Sequence, residues 1–305
     1  MMADATHTKP DGFDAYWDAV LTELDATPAE PETEVIPLRE TNFATLHGVQ
    51  ITSIGPYRLF GYLSVPKRDG PHPAIYWPPK YASVLEIIPQ GTANAVRGEF
   101  VTFSLAGRGQ RNSDKPFAAM FPGLLTEGIA SPDSYVFRGI VADAIRGLEY
   151  LNSLDFIDKK RTVAIGNDIA MHTLALKPDA THLVCTPALF FDPLNMAART
   201  QGYPLEEYSD YLRTYPSDKE SVADTLSHFD LRGFANSISA TTLLNAGPQG
   251  TLLAPETLRP LTDVISGEVT VYASERSSYK DGLYMERWIA EKLGLDAPIL
   301  PEHWQ

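Results

Sequence analysis

A strand-to-helix turn at residues 161–170 has the form of a catalytic elbow but carries an unusual residue at its tip. An apolar run at residues 163–165 leads into Gly166, and a helix-like segment follows. A nucleophile elbow has the pattern G-x-S-x-G, in which small residues allow a tight turn and a serine is held at the tip. Here Asp168 stands at the serine position, and Ala170 replaces the second glycine. The turn therefore lacks the hydroxyl group that such an elbow uses as a nucleophile.

Two roles are open to the carboxylate of Asp168. A carboxylate nucleophile forms an ester intermediate, which water must then hydrolyse with the help of a histidine and an orienting acid. As a structural residue, aspartate caps helices well and is stabilised by the positive end of the helix dipole. We predict that Asp168 caps the helix that follows it.

A metal site built on the same turn is the other alternative. Asp168 and His172 are four residues apart, so they can share one face of a helix. However, Pro178 interrupts the pattern before Asp179 and His182. We therefore expect neither a metal nor another cofactor at these residues.

The composition excludes several classes of partner. The 305 residues are 44% hydrophobic and 21% charged, as in an ordinary soluble protein, and the formal net charge is −14. Negative charge disfavours nucleic acids and anionic membranes as partners. The N-terminal residues resemble no signal peptide, and no run approaches the about 20 apolar residues of a membrane helix. We expect a cytoplasmic protein, whose one cysteine, Cys185, is a buried structural thiol.

Strands that alternate with helices predict an α/β fold with a mostly parallel sheet. The clearest helix is at residues 135–151, where apolar residues recur at helical spacing. We predict one domain over residues 1–305, with an N-terminal helical extension at about 11–25 and an inserted helical cap or interface segment at about 190–235. Strands are expected at residues 41–54, 57–65, 74–77, 100–105, 163–165, 183–185, 242–244 and 269–272. A linker at 27–34, a long loop at 111–134 and a closing helix at about 283–293 complete the prediction.

Several short motifs, in order along nearly the whole chain, resemble carbohydrate esterase family 7, the acetyl xylan esterases and cephalosporin-C deacetylases. They are the segments F-D-A-Y-W at 13–17, P-H-P-A-I at 71–75, R-G-Q at 108–110, F-R-G at 137–139 with D-A-I-R at 143–146, T-L-S-H-F-D at 225–230 and P-E-T at 255–257. The resemblance implies an α/β-hydrolase fold, a mostly parallel central sheet with helices on both faces and a helical insertion. It also implies a Ser-Asp-His triad, deacetylation of small acetylated sugars, and assembly into oligomers.

The positions that the resemblance assigns to catalysis are altered in this chain. The serine position corresponds to Asp168, the acid position to Gly250 and the histidine position to Ser277. Tyr81 persists in the turn after the third strand, so the resemblance implies that the backbone N–H groups of Tyr81 and Ile169 would be the oxyanion donors. Loss of a triad member lowers turnover by many orders of magnitude.

These changes favour a catalytically inactive member of the family, a pseudoenzyme. We expect a structural or regulatory subunit, in a homo-oligomer or paired with an active homologous esterase, or a protein that holds a small acylated ligand. The alternative is a divergent hydrolase of acetylated sugars or other small esters that uses Asp168. A third interpretation is a chain that donates loop residues to active heteromers.

Overall fold

The structure is a computed structural model that describes residues 9–81, 85–110, 112–296 and 299. Within these residues the chain has an α/β-hydrolase fold, with one mostly parallel sheet and helices on both of its faces. The strands of the described residues are β1 (Glu32–Val35), β2 (Ala44–Ser53), β3 (Tyr57–Pro66), β4 (His72–Trp77), β5 (Val101–Leu105), β6 (Ile157–Asn167), β7 (His182–Thr186), β8 (Thr241–Ala246) and β9 (Val269–Ala273). The α-helices of the same residues are α1 (Phe13–Ala26), α2 (Val136–Asn152), α3 (Asp168–Leu176), α4 (Pro193–Ala197), α5 (Glu206–Thr214), α6 (Lys219–Ser227), α7 (Arg259–Thr262) and α8 (Ser278–Leu293).

The order of the strands places several chain segments at one edge of the sheet. That order is β1-β2-β3-β5-β4-β6-β7-β8-β9. The pairs from β1 to β5 are antiparallel, and those from β5 through β4 to β9 are parallel. Ligands of open α/β sheets bind outside the carboxyl ends of the strands. The segments that follow β4, β6, β7, β8 and β9 meet at this edge, which is where a site is expected.

Side chains alternate across the parallel strands and divide the core into two layers. Val163 and Ile165 of β6 pack with Trp288 of α8 on one face of the sheet. Ala164, between them, belongs to the larger layer on the other face, which also holds the buried residues of α1, α2 and α3. This is the period of two that a strand imposes on its side chains. Because both faces are covered, the central strands are apolar runs and not alternating patterns.

Most predicted elements lie where the sequence indicates, and the main addition is β1. Its residues Glu32–Val35 pair antiparallel with β2, at the end of a segment predicted to be a linker. All four side chains are exposed, so the strand depends on backbone pairing and leaves no hydrophobic pattern. The fully described segment at 190–235 contains helices and turns and no strand.

The limits of the described residues bear on two expectations. Residues 1–8, which the expectation about a signal peptide concerns, lie outside them, as does Arg111 in the predicted long loop. Among the described helices, none combines the length and the apolar character needed to cross a bilayer.

Candidate functional site

The turn between β6 and α3 is relaxed. Asn167 is the residue before the helix, with φ −99° and ψ −154°, so it has ordinary extended backbone. A catalytic elbow holds its nucleophile on a sharp, strained turn. Among the described residues with positive φ, none is at positions 166–168. The backbone therefore does not push the side chain of residue 168 outwards as an elbow does.

Asn167, and not Asp168, caps helix α3. The Oδ1 atom of Asn167 accepts a hydrogen bond of 3.2 Å from the N–H of Ile169. This corrects the sequence prediction, which assigned the cap to Asp168; the helix begins at Asp168 itself, one residue earlier than that assignment requires. The bond also engages the Ile169 N–H, which the family resemblance implies as an oxyanion donor.

Asp168 is fully buried and binds the loop that follows β7. Its carboxylate accepts hydrogen bonds from the backbone N–H groups of Ala188 at 3.0 Å, Leu189 at 3.0 and 3.1 Å, and Phe190 at 2.7 Å. Both carboxylate oxygens are engaged. The side chain therefore joins the start of α3 to residues 188–190 and has no face open to solvent.

Burial alters the protonation of the groups beneath this loop. It raises the pKa of Asp168 to about 6, although the N–H groups of Phe190, Leu189 and Ala188 each lower it. Burial, together with the nearby Asp168 carboxylate, also raises the pKa of the Cys185 thiol well above its ordinary value. Since the thiolate is the reactive form of cysteine, Cys185 remains an inert thiol.

A second buried carboxylate, Glu207 of α5, connects the segment at 190–235 to Tyr81, in the segment that follows β4, and to Leu125. It accepts hydrogen bonds from the Tyr81 hydroxyl and, at 2.8 Å, from the N–H of Leu125. Burial raises the pKa of Glu207 to about 7. The hydrogen bond from the Leu125 N–H has the opposite and smaller effect on this pKa. A Cβ at Gly123 would lie 2.3–2.5 Å from this carboxyl group, so glycine is required there.

Tyr208 is influenced by the charge of both carboxyl groups. Its hydroxyl is buried, and its pKa is raised well above the ordinary value by burial, by Tyr135 and, to a smaller extent, by Asp168 and Glu207. The Tyr135 hydroxyl donates to the Leu125 carbonyl at 2.8 Å. Sequence reasoning missed Glu207 and Tyr208, because Glu-Glu-Tyr at the start of a polar helix resembles a solvated helix face.

Gly250 and Ser277, to which the family resemblance assigns the acid and histidine positions, have structural roles. Gly250 is exposed in the loop after β8, with a φ of +78° that favours glycine. Ser277 is the N-cap of α8, and its hydroxyl accepts the N–H of Lys280 at 3.3 Å. Neither residue supplies an acid or a base to Asp168.

His172 and His182, the two histidines considered as metal ligands, make structural contacts. His172 is buried among aromatic rings, its Nε2 lies 2.7 Å from the Phe229 carbonyl, and burial lowers its pKa to about 4. The Nδ1 atom of His182 lies 2.8 Å from the Thr181 hydroxyl. Across the part of the chain that the structure describes, no group of three or more His, Cys, Asp or Glu residues could hold a metal ion.

Comparison with known proteins decides the family. The family model described as acetyl xylan esterase matches residues 3–277. The chain belongs to the acetyl xylan esterase family. A curated relative, acetyl esterase Axe7A of Xylanibacter ruminicola, is 23% identical over 261 residues, which are 81% of this chain. The chain spans 58% of the length of that acetyl esterase.

Solved structures of acetyl xylan esterases share the fold. The enzyme from Paenibacillus sp. R4 has a TM-score of 0.79 and 21% identity, over 93% of this chain and 95% of that one. Acetyl xylan esterase 1 from Thermoanaerobacterium sp. JW/SL YS485 has a TM-score of 0.80 and 21% identity, over 94% and 96% of the two chains.

The acetyl xylan esterase motifs of this chain contact each other in the structure. The Nε1 atom of Trp17, in the first motif, donates to the His228 carbonyl of T-L-S-H-F-D at 3.0 Å. Arg108 of R-G-Q binds both carboxylate oxygens of Asp143, at 2.7 and 3.0 Å. The retained motifs thus form the contacts that hold α1 and α2 in the fold.

Proposed function

We propose that this member of the acetyl xylan esterase family does not hydrolyse esters through a Ser-Asp-His mechanism and acts as a structural or regulatory subunit. The observation that carries the proposal is the state of Asp168. A nucleophile must reach the substrate, and the Asp168 carboxylate is fully buried with both oxygens bound by loop N–H groups. The acid and histidine positions carry Gly250 and Ser277, which cannot transfer a proton to or from it.

The proposed partners are further copies of the chain or an active homologous esterase subunit. The preserved contacts of the family motifs support this proposal, because they retain the scaffold while the catalytic residues have changed. A small acylated ligand held without cleavage is part of the same proposal. Co-expression with a serine-bearing homologue from the same organism, followed by size-exclusion chromatography, tests pairing; separate elution of the two chains contradicts it.

Hydrolysis of 4-nitrophenyl acetate by the pure protein tests the loss of activity. Removing the whole triad of a serine hydrolase lowers kcat by on the order of a million-fold. We expect the wild type, Asp168→Ala and Asp168→Ser to be indistinguishable from buffer. Wild-type hydrolysis that disappears in Asp168→Ala would show that Asp168 is a working residue.

One observation favours a second candidate function, a divergent hydrolase that uses Asp168 on a small ester. A carboxyl group whose pKa is raised to about 6 is poised between its two protonation states near neutral pH, as in many catalytic sites. Against it, Tyr81 contacts Glu207, and the loop N–H groups leave no space for a substrate at Asp168. A rate that rises with pH around 6 in the wild type, and is lost in Asp168→Asn, would support this candidate.

A further inference from the structure

A cavity of about 380 Å³ lies beside the buried Asp168 loop, at the carboxyl ends of β7, β8 and β9. Its volume is near the lower end of the range of about 300–1,000 Å³ that small-molecule sites have. Its position is the crevice where open α/β sheets bind their ligands. Thr186 ends β7, Asn245 and Ala246 end β8, and Ser274 follows β9.

Apolar side chains form one wall of this cavity. Pro248 and Leu253 come from the loop after β8, and Met285 comes from the second turn of α8. Gly282, three residues before Met285 on the same helix face, also lines the cavity. A Cβ at Gly282 would meet no atom within 4 Å, so the space continues up to the helix backbone.

The lining of the cavity also carries a negative charge, that of Asp281. The Asp281 carboxylate accepts hydrogen bonds from the hydroxyls of Ser274 at 2.6 Å and Tyr272 at 2.9 Å, and from the N–H of Glu275 at 2.9 Å. Burial opposes ionisation, but these bonds hold the pKa of Asp281 below its ordinary value. Among the described residues that line the cavity none is a cation, and Lys280, next in sequence to Asp281, binds Glu275.

Asn245 offers hydrogen-bonding capacity that the protein leaves unused. Its Nδ2 lies 3.5 Å from the Thr186 hydroxyl, which is longer than a good N–H···O bond. A carboxamide carries two donor hydrogens and an acceptor oxygen. A ligand at this point can therefore form stronger hydrogen bonds with Asn245 than the Thr186 hydroxyl does.

We propose that this cavity binds a small amphipathic molecule that is uncharged or cationic. Its apolar part lies against Leu253 and Met285, and its hydroxyl or amino group faces Asn245 and the negative potential of Asp281. Anions are excluded by that charge, which no lining cation offsets. The proposal goes beyond the function proposed above and does not depend on whether Asp168 reacts.

Three probes with the same apolar body test the chemistry: benzyl alcohol, benzylamine and benzoate. The methyl group of Met285 serves as a local reporter in an NMR titration of protein carrying ¹³C-methyl methionine, with the exposed Met120 and buried Met171 as internal references. We expect saturable shifts of the Met285 signal with the alcohol and the amine, and none with benzoate. The proposal is wrong if neither benzyl alcohol nor benzylamine shifts the Met285 signal, or if benzoate binds as tightly as they do.

Two variants test whether the ligand binds in this cavity. Gly282→Leu fills the cavity, and it should fold because leucine has a higher helix propensity than glycine. Asn245→Ala removes the polar partner. We expect each to weaken the binding of benzyl alcohol by about tenfold, a loss of about 1.4 kcal/mol. The matched control is Tyr279→Leu, an exposed position of α8 outside the cavity, which should bind as the wild type does. Unchanged affinity in either lining variant contradicts the placement.

Discussion

Asp168, at the position that we propose corresponds to the catalytic serine of the family, is part of the scaffold. A serine at the tip of an elbow presents one hydroxyl to solvent, whereas this carboxylate points inwards and gathers three backbone N–H groups. Buried N–H groups require acceptors, and a carboxylate can serve several of them at once. The carboxylate of Asp168 therefore stabilises the loop at 188–190 in a closed position over the start of α3.

Asp168→Ala is expected to destabilise the protein by about 3 kcal/mol or more, since leaving one buried donor unsatisfied costs about 1–3 kcal/mol. Asp168→Asn, which keeps one acceptor oxygen, should cost less. The measurement is urea unfolding at neutral pH, with the exposed Asp179→Ala as control. Equal stability of Asp168→Ala and Asp179→Ala would contradict the bonding role of Asp168.

Glu207→Gln is expected to change how stability depends on pH. The pKa of Glu207 is about 7 in the folded protein and lower, at its ordinary value of 4.5, in the unfolded chain. The folded state therefore holds the proton more tightly, and this group's contribution to stability is lost as pH rises from about 4.5 through 7. The glutamine does not titrate.

The measurement for this prediction is the free energy of unfolding of both proteins across that pH range. We expect the wild type to lose stability relative to Glu207→Gln as pH rises. A difference between the two proteins that is constant with pH, or that changes in the opposite direction, would show that burial does not raise the pKa of Glu207.

At the level of elements, helices are held by polar contacts between distant motifs. The Asp143 carboxylate of α2 is fully buried and receives the Arg108 side chain and the Arg108 N–H. A Cβ at Gly139 would lie 2.1–2.5 Å from the Arg108 guanidinium group, so the arginine crosses α2 where the helix has no side chain. This contact fixes α2 against the loop that follows β5.

Arg108→Met is expected to cost about 3–5 kcal/mol, because it leaves the Asp143 charge buried without its partner. The double variant with Asp143→Asn should cost clearly less than the sum of the two single changes. A double-mutant cycle in urea measures this coupling. Additive costs would show that the two side chains do not act as a pair.

For the whole molecule, the inactivity that we propose would follow from several connected features. The relaxed turn at Asn167, the engaged Ile169 N–H and the closed loop at 188–190 all concern the same edge of the sheet. Gly250 and Ser277 belong to a positive-φ loop position and a helix cap. Restoring three side chains does not restore this arrangement.

The triple variant Asp168→Ser, Gly250→Asp, Ser277→His is therefore expected to hydrolyse 4-nitrophenyl acetate no faster than buffer. The Gly250 change also places aspartate at a φ of +78°, which glycine adopts more readily. Circular dichroism verifies that the variant is folded. Saturable esterase activity in the folded triple variant would contradict this prediction. It would show that the backbone at this edge of the sheet still permits catalysis once the three side chains are supplied.

The amino-acid sequence by itself determines the fold and the identity of the altered positions. A continuous apolar run and an apolar period of 3.6 residues both depend only on neighbouring residues, so strands such as β7 and helices such as α2 can be predicted from it. The proposed correspondence of positions 168, 250 and 277 to the serine, acid and histidine of the family also comes from the sequence, because it rests on the register of the flanking motifs.

Only the tertiary structure decides what the new residues do. The partners of Asp168 lie 20 to 22 residues away, and the carboxylate of Glu207 meets an N–H that is 82 residues away. Such bonds depend on how loops return to the edge of the sheet, which no local pattern encodes. The same reason explains why the cap belongs to Asn167, why exposed β1 forms, and why the cavity between β8, β9 and α8 is visible only in the folded chain.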